Sequence, residues 1–265
     1  MSVEETFFRI FRRQPPTDHR PMLTDTLLPT QTKRIAIINQ KGGCGKTTTA
    51  INLSACLAEL GCRVLLIDMD PQAHATLGLG LRGDEMPLTV YHVLAPARPS
   101  LARVMQPTYH PNLKVIPSNT QLAASQVELV TVPGREHLLK DALEEEARDF
   151  HFVILDCPPS LNLLSVNALT AATDVLVPVQ THYLSLDGMR ELFKTIDLVR
   201  AHLNPRLRIL GILPTLFDSR TRMNRAMLET IKEYFPGKVF DTLILLASPP
   251  TKRLPKGAIP RNAMV

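Results

Sequence analysis

No stretch of this 265-residue chain approaches the about 20 consecutive apolar residues that a bilayer-crossing helix needs. The first residues lack the apolar centre of a signal peptide, so a cytoplasmic address is expected. Cysteine is scarce: Cys44, Cys56, Cys62 and Cys157 include no C-x-x-C pair, which favours reduced thiols over zinc ligands or disulfides. No internal repeat, second domain or base-reading motif is evident. What remains is a chain that is 45% hydrophobic, of a size suited to one α/β domain with a single adequate core. Its net charge of +5 permits a polyanionic partner without requiring one.

Apolar segments at 34–38, 63–68, 113–117, 151–156, 174–179 and 207–213 read as buried strands, separated by helical patterns at 46–60, 135–149, 185–202 and 221–235. Such alternation predicts an α/β fold, a doubly wound, mainly parallel sheet with helices on both faces. Leu53, Leu57 and Leu60 form one stripe of the first helix, and Gly61 suits a left-handed cap after it. Residues 1–32 read as an extension outside the sheet, 33–246 as the domain, and 247–265 as a proline-rich basic tail.

Between the first strand and the first helix lies Gln40-Lys41-Gly42-Gly43-Cys44-Gly45-Lys46-Thr47-Thr48. Strand, glycine loop and helix start in that order are what a triphosphate cradle requires, because glycines let backbone N–H groups turn onto phosphate and the helix end adds its dipole. Lys46 would neutralise β/γ charge and the Thr47 hydroxyl would meet Mg²⁺. The usual G-x-x-x-x-G-K-[ST] pattern fails at Gln40, and a second lysine, Lys41, is present instead. Lys41 either meets a nucleotide held by a facing subunit or is a solvated loop lysine. Asp156 follows four apolar residues, the arrangement that positions a carboxylate on a water of the Mg²⁺ shell; a plain strand-end turn is the alternative.

The segments KGGCGKTT at 41–48, LLIDMDPQ at 65–72 and VILDCPPS at 153–160 resemble the deviant Walker A, A′ and B motifs of the ParA/MinD ATPases, in the same order and at similar spacing. Within that superfamily the chain most resembles the ParA/Soj partition ATPases, from about Lys33 to about Phe240. The resemblance implies a dimer that clasps ATP and Mg²⁺, with Lys41 entering the facing site. It implies that Asp70 orients or deprotonates the attacking water while Asp68 supports the loop or the metal shell; strand-end capping is the plain alternative for both. It brings Leu216 and Phe217 near the adenine and assigns Arg220 to DNA, with Arg222 and Arg225 following at helical spacing; a solvated helix start is the plain alternative for these arginines.

DNA binding of that kind is to phosphates, hence nonspecific, salt-dependent and nucleoid-associated. The family further implies slow turnover stimulated by a ParB-like protein, and a chromosome, plasmid or protein cargo. After Ile244 the resemblance fails: the adenine-contacting Pro-Arg-Asn triplet comes late, at Pro260-Arg261-Asn262, and the closing helix is missing. Four prolines from 249 to 260 argue against the amphipathic C-terminal helix of a MinD-like membrane-associated positioning ATPase, the alternative within the superfamily, so a membrane partner is not expected. The Phe7 to Arg13 peptide suits a lipid surface, a partner protein or neither. An ATP-driven reductase needs a cluster-binding cysteine pair that this chain lacks, and a non-hydrolysing interaction protein has no use for Asp70 together with Lys41.

Overall fold

The computed structural model describes residues 28–181 and 186–246, with the side chains of 186 and 187 excepted. The Phe7 to Arg13 peptide, Pro260-Arg261-Asn262 and the basic residues Lys252, Arg253 and Lys256 lie outside the described residues.

In chain order the elements are β1 (Lys33–Ile37), α1 (Lys46–Glu59), β2 (Val64–Asp68), α2 (His74–Gly78), α3 (Val90–Val93), α4 (Leu101–Val104), β3 (Gln106–Pro107), β4 (Leu113–Ile116), α5 (Ser125–Glu128), α6 (Leu138–Glu146), β5 (Phe152–Asp156), α7 (Leu163–Ala171), β6 (Asp174–Gln180), α8 (Leu186–His202), β7 (Arg208–Thr215) and α9 (Arg222–Tyr234). The strands form one sheet in the order β3-β4-β2-β5-β1-β6-β7. Every pairing is parallel except β3 with β4.

Strand side chains alternate between faces, and here both faces are apolar. Ile35 and Ile37 of β1, with Val64 and Leu66 of β2, pack under Leu53 and Leu57 of α1. Ala36, Leu65, Ile67, Val153 and Val175 point the other way, into a core with residues of α6, α7 and α8 such as Leu139, Leu164 and Leu192. This double burial is why the strands read as continuous apolar runs. Gly61 takes the left-handed conformation after α1, with φ 89°, and returns the chain into β2.

The expected strands and helices are all present, with ends shifted by a few residues; β7 runs on to Thr215 instead of stopping at 213. The sequence reading missed α7. Its sequence LLSVNALTA buries residues on nearly every side, so no amphipathic period marks it. Asn162 caps it, its Oδ1 accepting the N–H groups of Leu164 at 3.1 Å and Ser165 at 3.3 Å. The short helices between β2 and β4 and the two-residue antiparallel β3 also escaped, being too short to show a period.

Candidate nucleotide site

The sheet delivers four loops to one edge, the carboxyl ends of its parallel strands β2, β5, β1 and β7, where open α/β sheets bind ligands. From β1 comes the glycine loop. Gly43 and Gly45 hold φ of 70° and 87°, a left-handed geometry that favours glycine. A Cβ placed on Gly42 or Gly43 would meet nothing within 4 Å, so the loop rims a space open to a ligand. On its inner side the Cys44 carbonyl accepts a hydrogen bond of 2.8 Å from the Thr215 hydroxyl of β7. Lys46 is buried, and its Nζ donates to the Lys41 carbonyl at 3.0 Å. Thr47 is half-buried and Thr48 exposed. Lys41 itself is half-buried, and its N–H donates to Asn39 Oδ1 at 3.0 Å.

From β2 and β5 come the carboxylates. Asp68 and Asp156 are register partners on neighbouring strands, and both are fully buried. Asp68 is fully engaged: one oxygen accepts the Asp70 N–H at 3.1 Å, the other the Thr76 N–H at 2.8 Å and hydroxyl at 2.7 Å. Burial nonetheless pushes its carboxyl up to about 6, against those bonds. It braces the loop and, through the Asp70 N–H, caps the strand-end turn that was the plain alternative for it.

Neither oxygen of Asp156 has a hydrogen bond of ordinary geometry among the described residues, although the Thr47 side chain interacts with it. Burial first, then the charge of Asp68, push its carboxyl well above the ordinary carboxylate range, while the Thr47 side chain and the Lys46 ammonium pull it down. An orphaned buried carboxylate beside a second acid is costly unless a cation meets it. Thr47 and Asp156 are the pair expected to hold Mg²⁺ directly and through water, so the donor set fits a hard divalent ion.

Asp70 is half-buried at the rim of the same edge. One of its carboxylate oxygens accepts the Gln72 N–H at 2.9 Å, the strand-end turn that was the plain alternative. Its carbonyl accepts from the Ser118 hydroxyl at 2.8 Å, which ties the loop to the chain after β4. Cys157 is buried and burial pushes its thiol up, as befits a core residue.

The fourth loop follows β7. Leu216 is half-buried with a left-handed φ of 53°, and Phe217 is 7% exposed, its N–H donating to the Ile244 carbonyl at 3.0 Å. Of the two residues expected near the adenine, Leu216 offers more surface. Beyond them Arg220 grips Asp218 with both arms, Nε to Oδ1 at 2.9 Å and a terminal nitrogen to Oδ2 at 2.8 Å. That grip pulls the Asp218 carboxyl down to about 2. Arg222 and Arg225 are exposed on α9, whose first turn is capped by the Thr221 hydroxyl accepting from the Asn224 N–H at 3.3 Å. The sequence reading missed Asn39, Thr76, Ser118 and Thr215; each is a small polar residue whose part depends on a contact distant in sequence.

The AAA domain family model matches residues 32–209. The chain is 47% identical over 212 residues to the sporulation initiation inhibitor protein Soj of Bacillus subtilis, covering 80% of this chain and 83% of that one. It is 47% identical over 210 residues to the chromosome partitioning protein ParA of Myxococcus xanthus, covering 79% and 74%. Among solved structures, a cobyrinic acid a,c-diamide synthase from Mycobacterium smegmatis with bound ADP and magnesium superposes with a TM-score of 0.74 at 41% identity, covering 77% and 83%. With its glycine loop, paired strand-end acids and these matches, the chain belongs to the ParA/Soj family of chromosome-partitioning ATPases.

Proposed function

We propose that this protein is a Mg-ATP-dependent dimerising ATPase that, in its ATP state, binds DNA nonspecifically and so positions or segregates a chromosome, plasmid or protein cargo. The observation that carries the reading is Asp156: a buried carboxylate whose two oxygens have no hydrogen-bond partner among the described residues, beside Thr47 and Lys46, at the foot of a glycine loop open on its outer side.

The N–H groups of Gly42, Gly43 and Gly45, with Lys46, bind the phosphates, which requires Lys46 to leave the Lys41 carbonyl for the ligand. Thr47 and Asp156 hold the magnesium, which when bound neutralises charge on the β- and γ-phosphates. Asp70, at the rim, orients the attacking water. Lys41 of one protomer reaches the phosphates of the other, so that phosphoryl transfer, which depends on positioning and charge neutralisation, is completed only in the dimer. Arg220, Arg222 and Arg225, doubled by dimerisation, grip DNA phosphates, and a ParB-like protein stimulates turnover.

The test is phosphate release with and without random-sequence DNA, together with sizing in magnesium and a nonhydrolysable ATP analogue. Analogue-dependent dimers that bind duplex DNA and release it as salt rises are expected. A protein that stays monomeric with the analogue at high concentration overturns the reading.

A further inference from the structure

Asn39 stands two residues beyond the end of β1, is 6% exposed, and uses both ends of its amide. Its Nδ2 donates to the Pro178 carbonyl of β6 at 2.7 Å, and its Oδ1 accepts the Lys41 N–H at 3.0 Å. The first bond spans 139 residues of sequence and joins the loop to a strand of the rigid sheet. The two peptide groups that flank the Lys41 Cα are therefore both held, the N–H of one by Asn39 and the carbonyl of the other by Lys46 Nζ.

These two restraints have different fates when phosphate arrives. Lys46 carries the charge that binds phosphate and must turn toward it, which releases the Lys41 carbonyl. Asn39 is neutral, buried and anchored to β6, so its grip persists. We infer that Asn39 is a positioning residue: it fixes the Lys41 backbone against β6 so that the Lys41 side chain enters the facing subunit's site in the ATP state. This inference rests on the cross-subunit part assigned above to Lys41. A side chain held at its root loses less freedom on reaching a distant phosphate, which is how a residue that touches no nucleotide affects the step.

The experiment compares wild type with Asn39→Ser, Asn39→Ala, Lys41→Ala and the double variant Asn39→Ala/Lys41→Ala. Serine keeps a short acceptor for the Lys41 N–H but cannot span to Pro178, so it separates the anchor from the local turn. For each protein the readouts are ADP affinity, the protein concentration for half-maximal dimerisation with magnesium and a nonhydrolysable ATP analogue, and kcat at saturating ATP. Loss of an anchoring hydrogen bond should weaken dimerisation by about fivefold to tenfold in both Asn39 variants, with kcat falling in step. ADP affinity, which needs no partner, should change by less than about twofold.

The double variant should dimerise no worse than Lys41→Ala alone, because an anchor has nothing to hold once the lysine is gone. Additive losses in the double variant, or a parallel loss of ADP affinity, overturn the inference and leave Asn39 as a support of the loop. Wild-type dimerisation by Lys41→Ala overturns the cross-subunit reading itself, a result distinct from wild-type behaviour of the Asn39 variants beside an impaired Lys41→Ala.

Discussion

Replacing Asp156 by asparagine should stabilise the metal-free protein while disabling it. Asp156 has no hydrogen-bond partner among the described residues, is fully buried, and lies in register beside Asp68, also buried. Both carboxyls are raised, Asp68 to about 6, so the folded protein holds protons that the unfolded chain gives up near pH 4. The sign follows: between the unfolded and folded values the folded state binds more protons, and metal-free stability falls as pH rises through that window. For Asp68 alone the rise from 3.8 to about 6 corresponds to about 3 kcal/mol lost between about pH 4 and pH 6.

An amide at position 156 carries no charge to desolvate and none to repel Asp68. We expect Asp156→Asn to gain about 1–3 kcal/mol at pH 8, or about 2–4 °C of melting temperature per kcal/mol, with the gain vanishing below pH 4. Melting in a chelator across pH measures it. The same variant should lose the increase in nucleotide affinity that magnesium confers on the wild type. A chelated variant that melts lower than wild type at pH 8, or one whose nucleotide affinity still responds fully to magnesium, would refute the assignment of Asp156 as a strained metal carboxylate.

Gly42→Ala should leave stability unchanged or raise it by about 0.5 kcal/mol, since its Cβ meets no protein atom. That Cβ would occupy space the phosphates need, so nucleotide affinity should fall about tenfold in a titration; normal affinity would mean the cradle lies elsewhere. Gly83→Ala should destabilise by about 1–3 kcal/mol in denaturant titration, because a Cβ there would come within 1.8 Å of the Ser118 carbonyl oxygen and displace the residue that holds the Asp70 loop. Arg220→Glu should keep ATPase competence and lose duplex binding in ATP. Asp218→Asn, which frees Arg220 from its bidentate partner, should instead strengthen that binding at a given salt concentration. Gel shifts over a salt series check both, and retained binding by Arg220→Glu counts against the basic surface.

The parts of this fold that were legible in the sequence are those whose cause is local. Strands buried on both faces read as apolar runs, and the glycine loop reads as a loop because Gly43 and Gly45 occupy backbone geometry that other residues enter at a cost. Helix α7 was invisible for the reason that makes it stable: burial on nearly all sides removes the polar face that marks a helix. The strand-end acids were legible as positions, but their division of labour was not. Asp68 and Asp156 stand opposite each other at equal burial, and only the hydrogen bonds from Asp70 and from Thr76, eight residues on from Asp68, separate the satisfied acid from the unsatisfied one. Arg220 was legible as a cation, whereas its engagement by Asp218 depends on a turn geometry that residue spacing leaves open.

The glycine loop and the start of α9, far apart in sequence, are joined by a buried line of hydrogen bonds. The Thr215 hydroxyl donates to the Cys44 carbonyl, and the Thr215 carbonyl accepts the Thr181 N–H at 3.1 Å. The Thr181 hydroxyl has one proton, which the shorter contact, 2.7 Å to Asn224 Oδ1, assigns to α9 rather than to the Thr215 carbonyl at 3.2 Å. Thr181, Thr215 and Asn224 are each no more than 1% exposed, so water cannot replace a lost partner. Pulling the Cys44 carbonyl outward alone would strand the Thr215 hydroxyl at a cost of about 1–3 kcal/mol, comparable to a tenfold change in ligand affinity. The less costly response is for the end of β7 to follow, and Arg220 and Arg222 sit a few residues beyond it. The glycine loop and the helix start that carries Arg222 are in this way parts of one buried polar network, and small uncharged residues, Thr215, Thr181 and Asn224, join them.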